Sequence, residues 1–180
     1  MRLYDKDHKA DRKAGMMFAK IDRHFGGVEV MNMIITDMQK YLDKWQVILR
    51  LQDWDIKLQT VDHDWRKTGD IKIDVCDKNA ILLINTFNPK QTNLEELIIH
   101  ELLHLKLYGM DQMLEKYLNA FYGEDSSDPK RDIAYGDFMV LLESTVNDLA
   151  KSFLSQGGDD KEISFGRLQI EVDKEFEKSL

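Results

Sequence analysis

The residues best suited to chemistry in this 180-residue chain lie in one short stretch, His100-Glu101-Leu102-Leu103-His104. Residues four apart on an α-helix stand one turn above each other, so the two imidazoles project toward a common point and can share one metal ion. Glu101 lies about 100° around the helix from His100, close to such an ion but poorly placed to bind it together with both histidines. The spacing therefore predicts two metal ligands, His100 and His104, and a general base, Glu101, that acts on a water molecule.

The surroundings of this stretch favour a functional role over a purely structural one. Asn93 is placed as a helix N-cap, and every residue from 97 to 105 outside the motif positions is apolar. A carboxylate on such a buried helix costs several kcal/mol if it has no partner, which is comparable with the stability margin of a whole domain. We therefore expect Glu101 to have a chemical task.

A catalytic zinc site usually has three protein ligands and one position open to water. No histidine follows His104, so the third ligand is either a carboxylate further along the chain or His63 before the motif. Most of the later acidic residues lie in polar surroundings, where solvent exposure explains them: Glu115, Glu124, Asp125, Asp128, Asp132 and Asp137. Glu143 instead lies at the margin of the apolar arc of a predicted helix and is the predicted third ligand. Asn147, one turn further on, is placed to hydrogen-bond Glu143 or an imidazole.

The motif on one helix, followed by Glu143 on a later helix, resembles the zincin metallopeptidases of the gluzincin type, in particular their small, minimal members. Compact proteins of this kind are also similar to reading frames of prophages and mobile elements. The resemblance extends over residues 34 to 154 in the order of elements, and only the motif helix is specific. Two departures are visible. The family commonly has Asp four residues after its glutamate ligand, where this chain has Asn147, and no His, Tyr or Arg from a further domain can be matched.

The resemblance implies a zinc-dependent endopeptidase with one zinc ion per chain. The ion would lower the pKa of its bound water toward about 7 and polarise the scissile carbonyl, while Glu101 would take the proton and pass it to the leaving amine. The substrate would be a peptide or protein strand that pairs with a sheet edge, for which residues 70–75 are the candidate. The donor to the oxyanion is left open among residues of suitable type: Tyr108, Tyr117, Tyr122, Tyr135 and Arg131.

Two other interpretations stay open at this point. In the first, the protein is a zinc-binding regulatory or interaction protein on a zincin scaffold, with little or no proteolytic activity. In the second, it binds no metal and the motif is accidental. The zinc content, together with the effect of Glu101→Gln on cleavage, separates these interpretations from the peptidase.

Hydropathy periodicity predicts an α+β fold with an N-terminal helix, a small mixed sheet of about three or four strands, the motif helix and a C-terminal glutamate helix. The resemblance implies that this fold is zincin-like. The predicted segments are 34–51 (helix), 54–59, 71–75 and 80–84 (strands), and 94–108, 111–122 and 133–154 (helices). Gly109 is expected to end the motif helix. The unbroken apolar run over 80–84 predicts a strand that is covered on both faces.

The chain is predicted to contain one zincin-like domain over residues 31–155. An N-terminal extension over 1–30 precedes this domain, and a charged C-terminal tail over 156–180, to which the sequence gives no role, follows it. Hydrophobic residue types make up 43% of the chain and charged types 32%, a balance that is typical of soluble globular proteins.

Charge and cysteine content exclude several classes of partner and location. The net charge is -8, with the two signs interspersed, which argues against nucleic acid as a ligand. Cys76 is the single cysteine and is expected to be a small core residue without a disulfide. The charged N-terminus and the lack of a long apolar run predict a cytoplasmic, intracellular protein with no signal peptide and no membrane contact. The oligomeric state is left open.

Overall fold

The computed structural model of the protein describes residues 27–125 and 127–178. This part of the chain forms four α-helices and one three-stranded sheet, which confirms the predicted α+β class and the predicted small sheet. The elements are α1 (Gly27–Ile48), β1 (Asp55–Val61), β2 (Gly69–Asp74), β3 (Asn79–Asn85), α2 (Leu94–Tyr122), α3 (Pro129–Gly157) and α4 (Gly166–Lys178). Most of the predicted N-terminal extension lies outside the described residues, and the predicted domain boundary at residue 31 lies within α1.

The sheet is mixed, with β3 in the centre, β1 parallel to it on one side and β2 antiparallel to it on the other. This order confirms the prediction that the second strand forms a sheet edge. Leu82 and Ile84 of β3 are fully buried, whereas Ile81 on the opposite face is 39% exposed. The prediction that β3 is covered on both faces is therefore wrong. Among the described residues, helices cover only the face of the sheet that carries Leu82 and Ile84.

The hydrophobic core lies between the covered face of the sheet and helices α1, α2 and α3. Leu42 and Trp45 from α1 meet Ile98 and Leu102 from α2, and all four side chains are at most 1% exposed. Complete burial of one such side chain stabilises the fold by about 1.5–3 kcal/mol. This packing fixes α2, which carries the motif, against the sheet.

Helix α2 is continuous through Gly109, so the predicted break at that residue is wrong. A Cβ at Gly109 would meet nothing within 4 Å, which places the residue on an open side of the helix. A glycine inside a helix costs about 1 kcal/mol relative to alanine, and the helix formers on both sides outweigh this cost. The predicted start is confirmed, because the Asn93 side chain accepts a hydrogen bond from the Glu96 main-chain N–H at 2.8 Å.

The predicted charged tail contains a helix, α4, which the sequence analysis did not assign. The connection from α3 to α4 is held by the residues that precede α2. Asn93 donates its side-chain amide to the main-chain carbonyls of Asp160 (3.1 Å) and Glu162 (2.7 Å). The main-chain N–H of Thr92 donates to Ser164 Oγ at 3.1 Å. These contacts bring α4 back to the helix that carries the motif.

A buried carboxylate, Glu95, joins three parts of the fold. Its Oε1 accepts hydrogen bonds from Lys44 Nζ (2.8 Å) and Trp45 Nε1 (2.7 Å), and its Oε2 accepts the main-chain N–H groups of Asp159 (2.7 Å) and Asp160 (2.9 Å). Burial alone would raise the pKa of Glu95, but these hydrogen bonds outweigh it and lower the pKa below the usual 4.5. One ionised group therefore ties together α1, α2 and the connection to α4.

Glu95→Gln is expected to lower the free energy of unfolding by about 2–6 kcal/mol, because an amide accepts hydrogen bonds only at its oxygen and two of the four donors lose their acceptor, at about 1–3 kcal/mol each. Denaturant unfolding followed by circular dichroism measures this change. Since the pKa of Glu95 is lower in the folded state, its stabilisation is present above pH ~4.5 and is lost as the pH falls through the folded-state pKa. The wild type should therefore lose this stability in acid, and the variant should not show this loss.

The neighbouring Glu96 provides a matched control. It is also buried, but its Oε2 has no hydrogen-bond partner, and burial raises its pKa. A carboxyl group with a raised pKa stabilises the fold below its unfolded-state pKa and loses this stabilisation as the pH rises. Glu96→Gln is therefore expected to leave stability at neutral pH unchanged or to increase it. Equal losses in the two variants would contradict the role given to Glu95.

Two further expectations can be compared with the fold. Cys76 is exposed in the turn between β2 and β3, so the prediction that it is a core residue is wrong. Among the described residues, no helix combines the length and the apolar character that are needed to cross a lipid bilayer.

Candidate metal centre

The structure brings His100 and His104 of α2 together with Glu143 of α3. The two Nε2 atoms lie 3.1 Å apart, and the Glu143 oxygens lie 3.5 Å from His100 Nε2 and 3.4 Å from His104 Nε2. In a tetrahedral site with bonds of about 2.0–2.1 Å, neighbouring ligand atoms are about 3.3–3.4 Å apart. The three side chains therefore already stand at the separations that a shared ion requires.

The packing of α2 against α3 produces this convergence. The connection between the helices is short, so they run antiparallel side by side. Near the turn, Arg131 of α3 donates hydrogen bonds to Asn119 Oδ1 of α2 at 3.1 and 2.8 Å. This contact fixes how the two helices align, and the alignment places Glu143 opposite the motif.

Glu101 lies beside the three groups with only 7% of its surface exposed. Burial raises the pKa of its carboxyl group to about 7; His104 opposes this shift, and the charges of Asp70 and Glu143 add to it. A group whose pKa lies near neutrality can both accept and release a proton at physiological pH. Glu101 therefore has the protonation behaviour of a general acid–base.

Gly69, the first residue of β2, makes room for the Glu101 carboxylate. A Cβ at this position would lie 2.6 Å from Glu101 Oε1 and 3.0 Å from Leu97 Cδ1. The edge strand approaches α2 this closely only because residue 69 has no side chain. Sequence analysis missed this role, although a glycine at the start of an edge strand often marks a close approach.

The electrostatic potential around His104 is negative. Burial alone would lower the pKa of His104, but the carboxylates of Glu143, Glu101 and Asp111 outweigh it and raise the pKa. The same carboxylates would attract a divalent cation, which can replace the proton on the imidazole nitrogen.

Sequence analysis did not single out Asp111, although it lies two turns after His104 on the same helix face. Burial raises the pKa of Asp111, and its Oδ1 has no hydrogen-bond partner.

A cleft of about 950 Å³ opens over these groups. Strand β2 and helices α2 and α3, all predicted from the sequence, form most of its walls. Helix α4, which was not predicted, forms a further wall. The lining includes Gly69, Asp70, Ile71 and Ile73 from β2, Met139 and Leu142 from α3, and Ile170, Glu171 and Lys174 from α4. The candidate metal centre is therefore open to a ligand the size of a peptide segment.

No family model, curated protein or solved structure matches this chain. The likeness to gluzincins stays a prediction that rests on the motif and on the geometry described above.

The other residues that the sequence singled out occupy different positions. Asn147 lines the cleft and donates its side-chain amide to the main-chain carbonyl oxygen of Glu143 at 2.8 Å, so it contacts the helix turn that carries the carboxylate. His63 is outside the cluster, and 75% of its side-chain surface is exposed. Of the five candidate oxyanion donors, all within the described residues, only Tyr108 lines the cleft.

Proposed function

We propose that the protein is a zinc-dependent metallopeptidase that hydrolyses peptide bonds in an extended substrate. The observation that carries this proposal is the convergence of His100, His104 and Glu143 next to the buried carboxylate of Glu101. Two imidazole nitrogens and one carboxylate oxygen leave one position of a tetrahedral ion open, which is typical of catalytic zinc sites.

The donor set also favours zinc over the other common divalent ions. Magnesium and calcium prefer oxygen ligands, whereas imidazole suits zinc and neighbouring transition metals. When bound, zinc supplies Lewis-acid activation of water and of the scissile carbonyl.

The chain's own groups then account for the proton transfers and for the positioning. Glu101, which is buried and has a pKa of about 7, is suited to take a proton from water and return it to the leaving amine. Asn147 supports the helix turn that carries Glu143. Tyr108 is the candidate donor to the oxyanion, because it lines the cleft.

Strand β2 offers a binding edge for the substrate. Within the described residues it pairs only with β3, so alternate main-chain N–H and C=O groups on its other side are free to pair with a peptide. Four residues of β2 line the cleft beside the candidate metal centre. A substrate strand added to this edge would pass over Glu101, and main-chain hydrogen bonds would hold it.

The proposal is tested by zinc analysis and by cleavage assays on the same preparation. Protein purified without added metal should contain close to one zinc ion per chain and should cleave an unfolded protein substrate. A chelator should abolish the cleavage, and added zinc should restore it. Failure to bind zinc, even when zinc is supplied, would refute the metal centre. Zinc retention without cleavage of any peptide library would favour a zinc-binding regulatory protein instead.

A further inference from the structure

A second groove, of about 680 Å³, shares Tyr108 with the cleft. Its floor is apolar and includes Leu51, Trp54 and Leu105. Val75 and Met113 stand at its edge and are 56% and 53% exposed. The groove thus presents an apolar surface that no described segment of the chain covers.

The apolar floor is surrounded by three cationic side chains, Arg50, Lys106 and Lys116. We call this groove, together with the three cations, the basic groove. In the described part of the chain, none of the three forms an ion pair. The single carboxylate among the lining residues, Asp53, is paired with Lys78 at 2.6 Å. On a protein of net charge -8, the basic groove therefore concentrates positive charge around an apolar surface. Its complement is an apolar segment bordered by acidic residues.

Helix α4 presents such a segment on its outer face. Leu168, Val172 and Phe176 recur every four residues and form one stripe, with exposed fractions of 60%, 39% and 65%. The opposite face, with Ile170, Glu171 and Lys174, lines the cleft. Leu168 and Val172 therefore stay partly exposed, whereas an amphipathic helix in a globular protein ordinarily turns its apolar stripe to the core.

Acidic residues border this stripe. At 100° per residue, Glu175 lies along one side of it and Asp173 along the other, while Glu171 is turned toward the cleft and Lys174 lies on the far face of the helix. The stripe and its border therefore complement the basic groove in both hydrophobicity and charge.

We propose that α4 of one copy of the chain binds in the basic groove of a second copy. The stripe would cover the apolar floor, and the acidic border would face Arg50, Lys106 and Lys116. The helix cannot make this contact within its own chain in the observed conformation, because its inner face lies against its own cleft. Reciprocal exchange between two copies would give a closed two-fold dimer that contains the contact twice. The proposal does not depend on metal binding or on catalysis.

Sedimentation velocity across a wide range of protein concentrations tests this contact. We expect a reversible dimer whose population rises with concentration and falls with added salt. The double variants Lys106→Glu/Lys116→Glu and Asp173→Lys/Glu175→Lys should each weaken the dimer by about tenfold or more, because each sets like charges against each other. An equimolar mixture of the two variants should form a heterodimer, because both of its contacts pair opposite charges, one as in the wild type and one with the charges exchanged.

Gly109 provides a steric test with a matched control. It lines the basic groove, and a Cβ there meets nothing within 4 Å, so Gly109→Ala should keep the dimer. Gly109→Trp should fill the groove and reduce dimer formation, with an unchanged circular dichroism spectrum. A protein that is monomeric at every concentration would overturn the proposal. So would a dimer that persists in Gly109→Trp, or charge variants that do not pair with each other.

Discussion

Glu101→Gln is expected to lower the rate of peptide-bond hydrolysis by about 10²–10⁴-fold, the usual contribution of a general acid–base, while zinc stays bound. The glutamine amide has nearly the shape of the carboxylate but cannot take a proton from water. Because Glu101 is not one of the three converging groups, the metal site should keep its affinity. Measurement of kcat and of zinc content on the same preparations separates the two effects.

Two variants control for this result. Glu96→Gln removes another buried carboxylate of α2 that does not line the cleft, and it should leave activity unchanged. Gly69→Ala keeps the Glu101 carboxylate but places a methyl group 2.6 Å from its Oε1, so it should lower kcat without loss of zinc. Wild-type cleavage by Glu101→Gln would remove this residue from the mechanism.

Glu143→Ala is expected to weaken zinc binding by about 100-fold or more. Residues that only support a ligand through hydrogen bonds already change metal affinity by about 10–100-fold, and Glu143 is predicted to bind the ion directly. Competition with a chromophoric chelator measures the affinity. Activity should fall with zinc occupancy, and excess zinc should restore little of it, because the coordination shell would stay incomplete.

The acidic residue Glu115 and the histidine His63, both weighed as third ligands from sequence, supply the controls. Glu115 Oε1 lies 3.7 Å from Arg131 Nη2, and His63 is exposed away from the cleft. Alanine at either position should leave zinc affinity unchanged. An unchanged affinity in Glu143→Ala, with a loss in one of these variants, would transfer the role of third ligand to that residue.

The features of this protein that depend on local periodicity could be predicted from its amino-acid sequence. The spacing of His100 and His104 sets both on one helix face, and Asn93 fixes where that helix begins. Alternation of apolar and polar residues identified β2, and its half-polar pattern indicated that it would be a sheet edge. Each of these features depends on residues within a few positions of one another, so backbone geometry alone connects the pattern to the structure.

Contacts between groups that are distant in the chain depend on tertiary packing. Glu143 was predicted as a ligand from the sequence, but its side chain reaches the histidines because α3 packs antiparallel to α2. Gly69 admits the Glu101 carboxylate because an edge strand lies against α2. The position of α4 over the cleft follows from hydrogen bonds between its connection and the residues before α2. These contacts join residues that are far apart in the chain, and their free energies come from packing and desolvation, which no local pattern encodes.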